Sequence, residues 1–275
     1  MSSLLEGHRA VVTGGSGVLG RAMAMALAED GATVYLGARS PESARKALEA
    51  ALAGCPHWEV LSSRVRPLIF DVLDAGSLKE AATLVELEGG ADILVNAAGG
   101  NHPAASTAPD RDFFAMDLGA VEEVMDLNFH GMLRTTQAFA AGMAGRGQGS
   151  IINITSMAAV RPLTKVVGYS ASKAAVVNFT QWLAVHLAQN HGVGLRVNAI
   201  APGFFLAEQN RYLMFREDGS LTERAQTILA HTPQNRFGAP EDLLSTLRWL
   251  VHPGSRFITG TVIPVDGGFS AFGGV

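Results

Sequence analysis

The chain alternates between short apolar runs and longer stretches rich in helix formers, with glycine, proline and small polar residues at the changeovers. Seven runs read as strands: 8–13, 32–37, 66–70, 91–95, 151–154, 195–200 and 258–265. Between them, helices are expected over 21–28, 41–53, 78–87, 118–143, a segment carrying Tyr169 with an apolar body over 174–188, then 222–230 and 241–251. Pro41 falls in the first turn of its helix, and Gly54-Cys55-Pro56-His57 breaks it. Strands alternating with helices imply an α/β fold. The expectation is a single doubly wound domain over residues 1–275, with a mostly parallel seven-stranded sheet covered by helices on both faces.

Two long irregular stretches interrupt this regularity. Residues 101–112 form a polar, proline-bearing loop at the carboxyl edge of the sheet, where open α/β folds place ligands. Residues 204–233 read as a lid or substrate loop with one short helix. The tail 266–275 is glycine-rich yet too apolar for a typical disordered end, and contact with a partner subunit accounts for that.

The 275 residues are 48% hydrophobic, enough for a sizeable core, and the uniform pattern favours one domain over two. A formal charge of −4 and a pI near 6.1 give no general attraction for nucleic acid or an acidic membrane. The single cysteine, Cys55, has no internal disulfide partner and reads as a loop residue in a reducing compartment. The amino terminus lacks a signal-peptide core, and the most apolar helix is interrupted by Asn178, Gln181 and His186. A soluble, cytoplasmic protein is therefore expected. The eight histidines show no metal-ligand spacing, and no histidine accompanies Ser156 as a serine hydrolase would require.

Several motifs carry chemistry. Gly14-Gly15-Ser16-Gly17-Val18-Leu19-Gly20 joins the first strand to a helix, as in the first half of a dinucleotide-binding βαβ unit. Glycines there let the backbone approach a pyrophosphate, and the helix amino terminus offers it free N–H groups. After the second strand, Arg39 stands where an acidic residue would hold the ribose of NAD. Arg39 either pairs with a 2′-phosphate, which favours NADP(H), or is a solvated loop residue beside NAD(H). Asp71 either accepts from an adenine amino group or caps the following turn. Asn96-Ala97-Ala98-Gly99-Gly100 and Ala201-Pro202-Gly203 are small-residue turns suited to close approach by a ligand.

Tyr169 and Lys173 are four apart, so on a helix they share one face, and an ammonium there pulls a phenol below its usual pKa. Ser156 places a hydroxyl at the carboxyl end of a buried strand. Phenol, ammonium and hydroxyl then converge on one carbonyl oxygen. Asn128, within a long helix, either points to solvent or faces inward to bind an ordered water. Asn101 and His102, together with the cluster Gln209-Asn210-Arg211, are candidate contacts for a polar, anionic substrate.

Taken together, Thr13 to Gly20, Asn96-Ala97-Ala98-Gly99, Asn128, Ser156, Tyr169 with Lys173, and Pro202-Gly203 resemble the short-chain dehydrogenase/reductase family over almost the whole chain. Two departures are visible: Val18 replaces the usual middle glycine with Gly17 before it, and Ala97 replaces a common second asparagine. The resemblance implies a Rossmann domain and hydride transfer between nicotinamide and a ketone or alcohol. It implies Tyr169 as proton donor, Ser156 as hydrogen-bond partner of the same oxygen, Lys173 as ribose ligand and Asn128 as holder of a water. Cofactor contacts are implied at Gly14 to Leu19, Arg39, Asp71, Val72, Asn96 to Ala98, Tyr169, Lys173, Pro202 and Gly203.

Within the family, the loops Gly99 to Pro103, Arg161 to Lys165, Pro202 to Leu206, Glu208 to Arg211, Glu217 to Thr222 and Asp266 to Phe272 resemble the D-mannonate oxidoreductase (fructuronate reductase) branch. This implies a sugar-acid substrate whose carboxylate meets a cation, Arg211 first and Arg161 or Lys165 behind it. It also implies a homotetramer, with a dimer as the alternative. Other readings are a reductase of the same fold acting on another polyol or keto-acid, such as a gluconate 5-dehydrogenase, and a nucleotide-sensing module, which would be expected to lack the Tyr/Lys pair.

Overall fold

The computed structural model describes residues 4–53, 57–108, 110–206 and 211–274; Cys55, Gln209 and Asn210 lie outside them. The strands are β1 (Arg9–Thr13), β2 (Thr33–Ala38), β3 (Val65–Ile69), β4 (Ile93–Asn96), β5 (Gln148–Ile154), β6 (Gly194–Pro202) and β7 (Val262–Val265). The helices are α1 (Val18–Glu29), α2 (Pro41–Leu52), α3 (Trp58–Arg64), α4 (Ala75–Leu87), α5 (Leu118–Met125), α6 (Gly131–Arg146), α7 (Val167–Asn190), α8 (Arg211–Met214), α9 (Glu223–Ala230) and α10 (Leu244–Val251).

All seven strands form one sheet in the order β3-β2-β1-β4-β5-β6-β7. Every pairing is parallel, which sharpens the expectation of a mostly parallel sheet. Successive residues face opposite sides, and each side finds its own cover. Val12, Val34, Ile152 and Ile200 pack with α1, α2 and α10. Val11, Leu94, Ile151 and Val197 pack with α4, α6 and α7. The winding reverses at β1, which pairs with β2 on one side and β4 on the other. A crevice outside the carboxyl ends of β1 and β4 follows from that reversal.

The structure adds to the sequence reading at several points, among them a second short helix, α8, within 204–233. Residues 58–64 form a short helix, α3, that packs on α1 and α2. The expected helix over 118–143 is two helices joined by a π turn at Asp126–His130, and it runs on to Arg146. The final strand is confined to 262–265. Residues 258–261 instead bond irregularly to β6, with Gly260 in the left-handed region (φ 76°) and its N–H on Val197 O. The apolar tail packs partly on its own chain: the Phe269 ring meets Phe204 at 5.2 Å, and Phe272 lies against His231.

At the first turn the glycines are dictated by contact. Gly14 has φ 63°, and a Cβ there would sit 2.8 Å from the backbone of Ala97 and Ala98. A Cβ on Gly20 would overlap the carbonyl of Gly14. Gly145, by contrast, has open space around it on the exposed end of α6. Gly20→Ala is therefore expected to cost about 1–3 kcal/mol through overpacking and to lower the melting temperature by several degrees. Gly145→Ala should leave that temperature unchanged or raise it through helix propensity. Thermal unfolding of the two variants, followed by circular dichroism, compares them directly.

Candidate functional site

The crevice is built from backbone first. Thr13, the last residue of β1, is buried, and its Oγ1 accepts hydrogen bonds from the N–H groups of Ala97 and Ala98, both at 3.0 Å. This one hydroxyl holds the end of β1 against the turn after β4. Gly17 caps α1 without any side-chain hydrogen bond. Ser16 and Gly17 are exposed. The first N–H groups of α1 thus face the crevice with no competing side chain, a ready place for a diphosphate. Gly17 starts the helix at the point where the displaced middle glycine left Val18.

Arg39 is exposed at the carboxyl end of β2, where a group on the adenosine ribose is expected. Asp71 Oδ1 accepts from Leu73 N at 2.9 Å and so caps the turn after β3. Val72 is buried beside Gly131, where a Cβ would come within 2.8 Å of its Cγ2. Pro202 ends β6, and Gly203 N–H binds Val265 O at 2.9 Å. Gly203 lies so close to Asp266 that a Cβ would sit 2.8 Å from its Cα.

The Asn96 side chain does not face the crevice: its Nδ2 donates to Thr136 Oγ1 at 3.0 Å and to Asn153 Oδ1 at 2.9 Å inside the sheet–helix layer. A polar strand end buried under helices must find internal partners, and the Asn96 amide nitrogen finds them in Thr136 and Asn153.

The second half of the site lies at the ends of β5 and α7. Ser156 is 9% exposed and opens a 3-10 turn, its Oγ accepting from Ala158 N at 3.1 Å. Lys173 is 5% exposed, and its Nζ donates to Ile154 O at 2.9 Å. The ammonium lies 5.7 Å from the centre of the Tyr169 ring. Thr155 Oγ1 donates to Lys173 O at 2.9 Å, a second tie between β5 and α7. Ser156 and Tyr169 hydrogen-bond, which draws the phenol pKa down; burial is the larger effect and raises it. The expectation of a phenol lowered by its lysine is therefore not met in the ligand-free protein. Desolvation acts on the lysine as well and holds it at about 8.

Asn128 is 1% exposed and faces inward from the π turn. Its Oδ1 accepts from Gly100 N at 3.1 Å, and its Nδ2 donates to Gly100 O at 2.7 Å and Val124 O at 2.8 Å. Gly99 is the hinge of this contact: a Cβ there would stand 2.6 Å from Asn128 Oδ1 and 3.2 Å from Lys173 Nζ. So the structure brings Asn128, Gly99 and Lys173 together, with one lone pair of the amide oxygen left beyond its Gly100 bond.

The candidate substrate residues are more dispersed. Asn101 donates to Ser106 Oγ, and His102 Nδ1 accepts from Ala104 N at 3.1 Å, which leaves Nε2 as the protonated nitrogen of the neutral ring. Arg161 donates to Ser270 O at 2.5 Å and so ties the loop after β5 to the tail. Lys165 is exposed and held at φ 82°, with its carbonyl bound by Thr107 N. Arg211 is exposed and stacks over the Phe215 ring at 4.7 Å. Among the described residues no cluster of three or more His, Cys, Asp or Glu suits a metal, and no helix is long and apolar enough to cross a membrane.

Sequence reasoning gave no role to Thr13, Thr155, Asn153, Thr136 or Thr180. The visible signal was a polar residue inside an apolar run, as in Ile-Ile-Asn-Ile, but its partners are distant in sequence.

The short chain dehydrogenase family profile matches residues 8–216, which include the glycine turn, Ser156, Tyr169 and Lys173. The chain belongs to this family. Its members transfer hydride with nicotinamide cofactors at alcohol or ketone groups, and this chain is an oxidoreductase of that class. It is 44% identical to an uncharacterized oxidoreductase, UxuB, of Bacillus subtilis (strain 168), over 98% of each chain. A solved structure from Haemophilus influenza with NAD bound, assigned provisionally as a D-mannonate oxidoreductase, is 41% identical over 98% of each chain with a TM-score of 0.89. A gluconate 5-dehydrogenase from Burkholderia cenocepacia J2315, in complex with NADP and tartrate, is 29% identical, with 98% of this chain and 97% of that one covered and a TM-score of 0.82.

The short-chain dehydrogenase site carries an energetic cost that is measurable. A lysine moved from 10.5 to about 8 is penalised by about 3 kcal/mol while charged. Folding disfavours its proton, so the penalty is full below pH 8 and fades as the pH rises towards 10.5. Lys173→Met removes the charge and loses one hydrogen bond worth about 1 kcal/mol. The ligand-free variant is expected to melt a few degrees above the parent at pH 6.5, with the gap closing by pH 10. A lower melting temperature at pH 6.5 would contradict the desolvated state of this ammonium.

Proposed function

We propose that this oxidoreductase interconverts D-fructuronate and D-mannonate, with NADP(H) favoured and NAD(H) also accepted. The observation that supports it is the likeness, over nearly the whole length of both chains, to the Haemophilus protein, together with exposed cations on the loops around the crevice. The residues present fit a nicotinamide dinucleotide. The close backbone contacts leave no room for a side chain at Gly14 or Gly20, and the N-terminus of α1 has no side-chain cap. When bound, the cofactor supplies or takes up the hydride at the substrate's carbonyl carbon.

The chain's own residues handle the oxygen and the proton. Tyr169 gives its phenolic proton to the C5 oxygen as the carbonyl becomes a hydroxyl, and Ser156 donates a hydrogen bond to the same oxygen. Burial keeps the phenol protonated at neutral pH, the form that reduction consumes. Lys173 holds the nicotinamide ribose. Asn128 holds a water at the remaining lone pair of its amide oxygen, next to Lys173, and so reconnects the phenol to solvent after each turnover.

Arg39 pairs with the 2′-phosphate, and the backbone from Gly14 to Leu19, from Asn96 to Ala98 and at Pro202-Gly203 lines the cofactor, with Asp71 and Val72 at the adenine. On the substrate side, Arg211 takes the carboxylate, because Arg161 is already engaged with the tail. Asn101 and His102 meet the hydroxyls, and the segment 204–233 closes over the sugar. The reading includes a cytoplasmic homotetramer, with a dimer as the smaller alternative, supported by the single cysteine and by exposed Trp182 and Val185 on α7.

The deciding assay is reduction of D-fructuronate with NADH and with NADPH, run beside 5-keto-D-gluconate, the substrate a gluconate 5-dehydrogenase would prefer. Faster turnover of the ketogluconate would move the protein to that neighbouring activity. Tyr169→Phe is expected to lower kcat by about 10²–10⁴ with unchanged cofactor binding, and near-normal rates would remove the phenol from the chemistry. Arg39→Ala should weaken NADPH at least about tenfold, the worth of one charged contact, and leave NADH within about twofold. Equal losses for both cofactors would rule out the 2′-phosphate contact.

A further inference from the structure

Behind the candidate site lies a buried polar chain. Asn153 in β5 and Thr180 in α7 are both fully buried, and Asn153 Nδ2 donates to Thr180 Oγ1 at 2.9 Å. Thr180 Oγ1 donates in turn to Val176 O at 2.7 Å. Asn153 Oδ1 accepts from Asn96 Nδ2, which also binds Thr136 Oγ1 on α6. The chain thus joins β4, β5, α6 and α7. Ser156, Tyr169 and Lys173 lie on or directly after two of these elements, and Asn128 just precedes a third.

Two physical facts give this chain a purpose. First, β4 and β5 are apolar on both faces, so hydrophobic alternation does not specify their register. A slip of two residues would keep every side chain on its own face yet move Ser156 about 6.6 Å along the sheet relative to Ala97. Asn96 opposite Asn153 penalises that slip, because it would break the buried hydrogen bond from Asn96 Nδ2 to Asn153 Oδ1. Second, the ties Thr155–Lys173 and Lys173–Ile154 hydrogen-bond α7 to the end of β5 at one level, and beyond it α7 is packed by apolar contacts such as Leu183 and Leu187. Thr180 is seven residues on, about 10 Å along the axis, and a second anchor at that distance sets the helix's tilt and rotation.

We propose that Asn153 and Thr180 are positioning residues: the hydrogen bond between them sets β5 and α7 so that Lys173 and Tyr169 meet the cofactor. Neither residue reaches the crevice itself. This rests on the reading of Lys173 as the ribose ligand, and the test keeps the two apart. NADPH binding is followed by fluorescence titration, with no substrate, in Thr180→Val, Thr180→Ser and Lys173→Met, and each melting temperature is recorded.

Thr180→Val keeps the side-chain shape and loses the hydroxyl. It is expected to raise the NADPH dissociation constant about fivefold and lower kcat about tenfold, with the melting temperature within a few degrees of the parent. Thr180→Ser, which keeps the hydroxyl, should restore both. Asn96→Leu combined with Asn153→Leu should stay folded and show a larger loss of kcat than Thr180→Val. The proposal is overturned if Lys173→Met weakens NADPH and Thr180→Val does not, if serine fails to rescue, or if the double variant retains the parent's kcat. If Lys173→Met itself leaves NADPH affinity unchanged, the ribose reading fails and this proposal with it.

Discussion

The structure depends on backbone meeting backbone at the carboxyl ends of β1 and β4. Gly14 lies against Ala97 and Ala98, and Thr13 Oγ1 takes both of their N–H groups. Buried amides at a strand end have lost their next ladder partner, and one threonine hydroxyl with two lone pairs satisfies two of them. The contact lies beside the crevice where the strand order reverses at β1. A side chain at Gly14 or Gly20 would wedge the turn apart, so the composition of the turn follows from this contact as much as from any ligand.

Opposite that contact stands a group that the fold accommodates at a cost. Lys173 is buried with one backbone carbonyl as its hydrogen-bond partner, and desolvation lowers its affinity for a proton. Among the described residues no carboxylate pairs with it to offset the charge. An apolar residue would fold better there, and a destabilised cation at the floor of a crevice is the kind of local violation that functional sites carry. The same desolvation acts in the opposite sense on Tyr169, keeping a proton on the phenol. Burial thus moves the two proton affinities apart, so that the phenol is the group that keeps its proton while the lysine holds its own less firmly.

The loops around the crevice are tied differently from its floor. Arg161 reaches the tail at Ser270, Thr107 binds the strained Lys165, and the tail returns to Phe204. The floor is held by strands and buried polar chains, while the rim is held by single contacts among half-buried and exposed residues. A rigid floor and a separately anchored rim let substrate preference vary among relatives whose chemistry is shared, in keeping with the sugar-acid and gluconate proteins that resemble this chain.

How much of this was legible in the sequence follows from the range of each interaction. The seven strands, the glycine turn, the i,i+4 pair of Tyr169 and Lys173 and the hydroxyl at Ser156 depend on neighbours a few residues away, and all were readable from local pattern. The sequence by itself determined the α/β class, the family and where along the chain the chemistry-bearing residues fall. The tertiary structure alone decided that Asn96 turns inward, that a π turn swings Asn128 onto Gly100, and that burial outweighs the lysine in setting the state of the phenol. Those outcomes depend on groups brought together from 28 to 57 positions apart and on how much water is excluded between them, and neither quantity is written in any local stretch of residues.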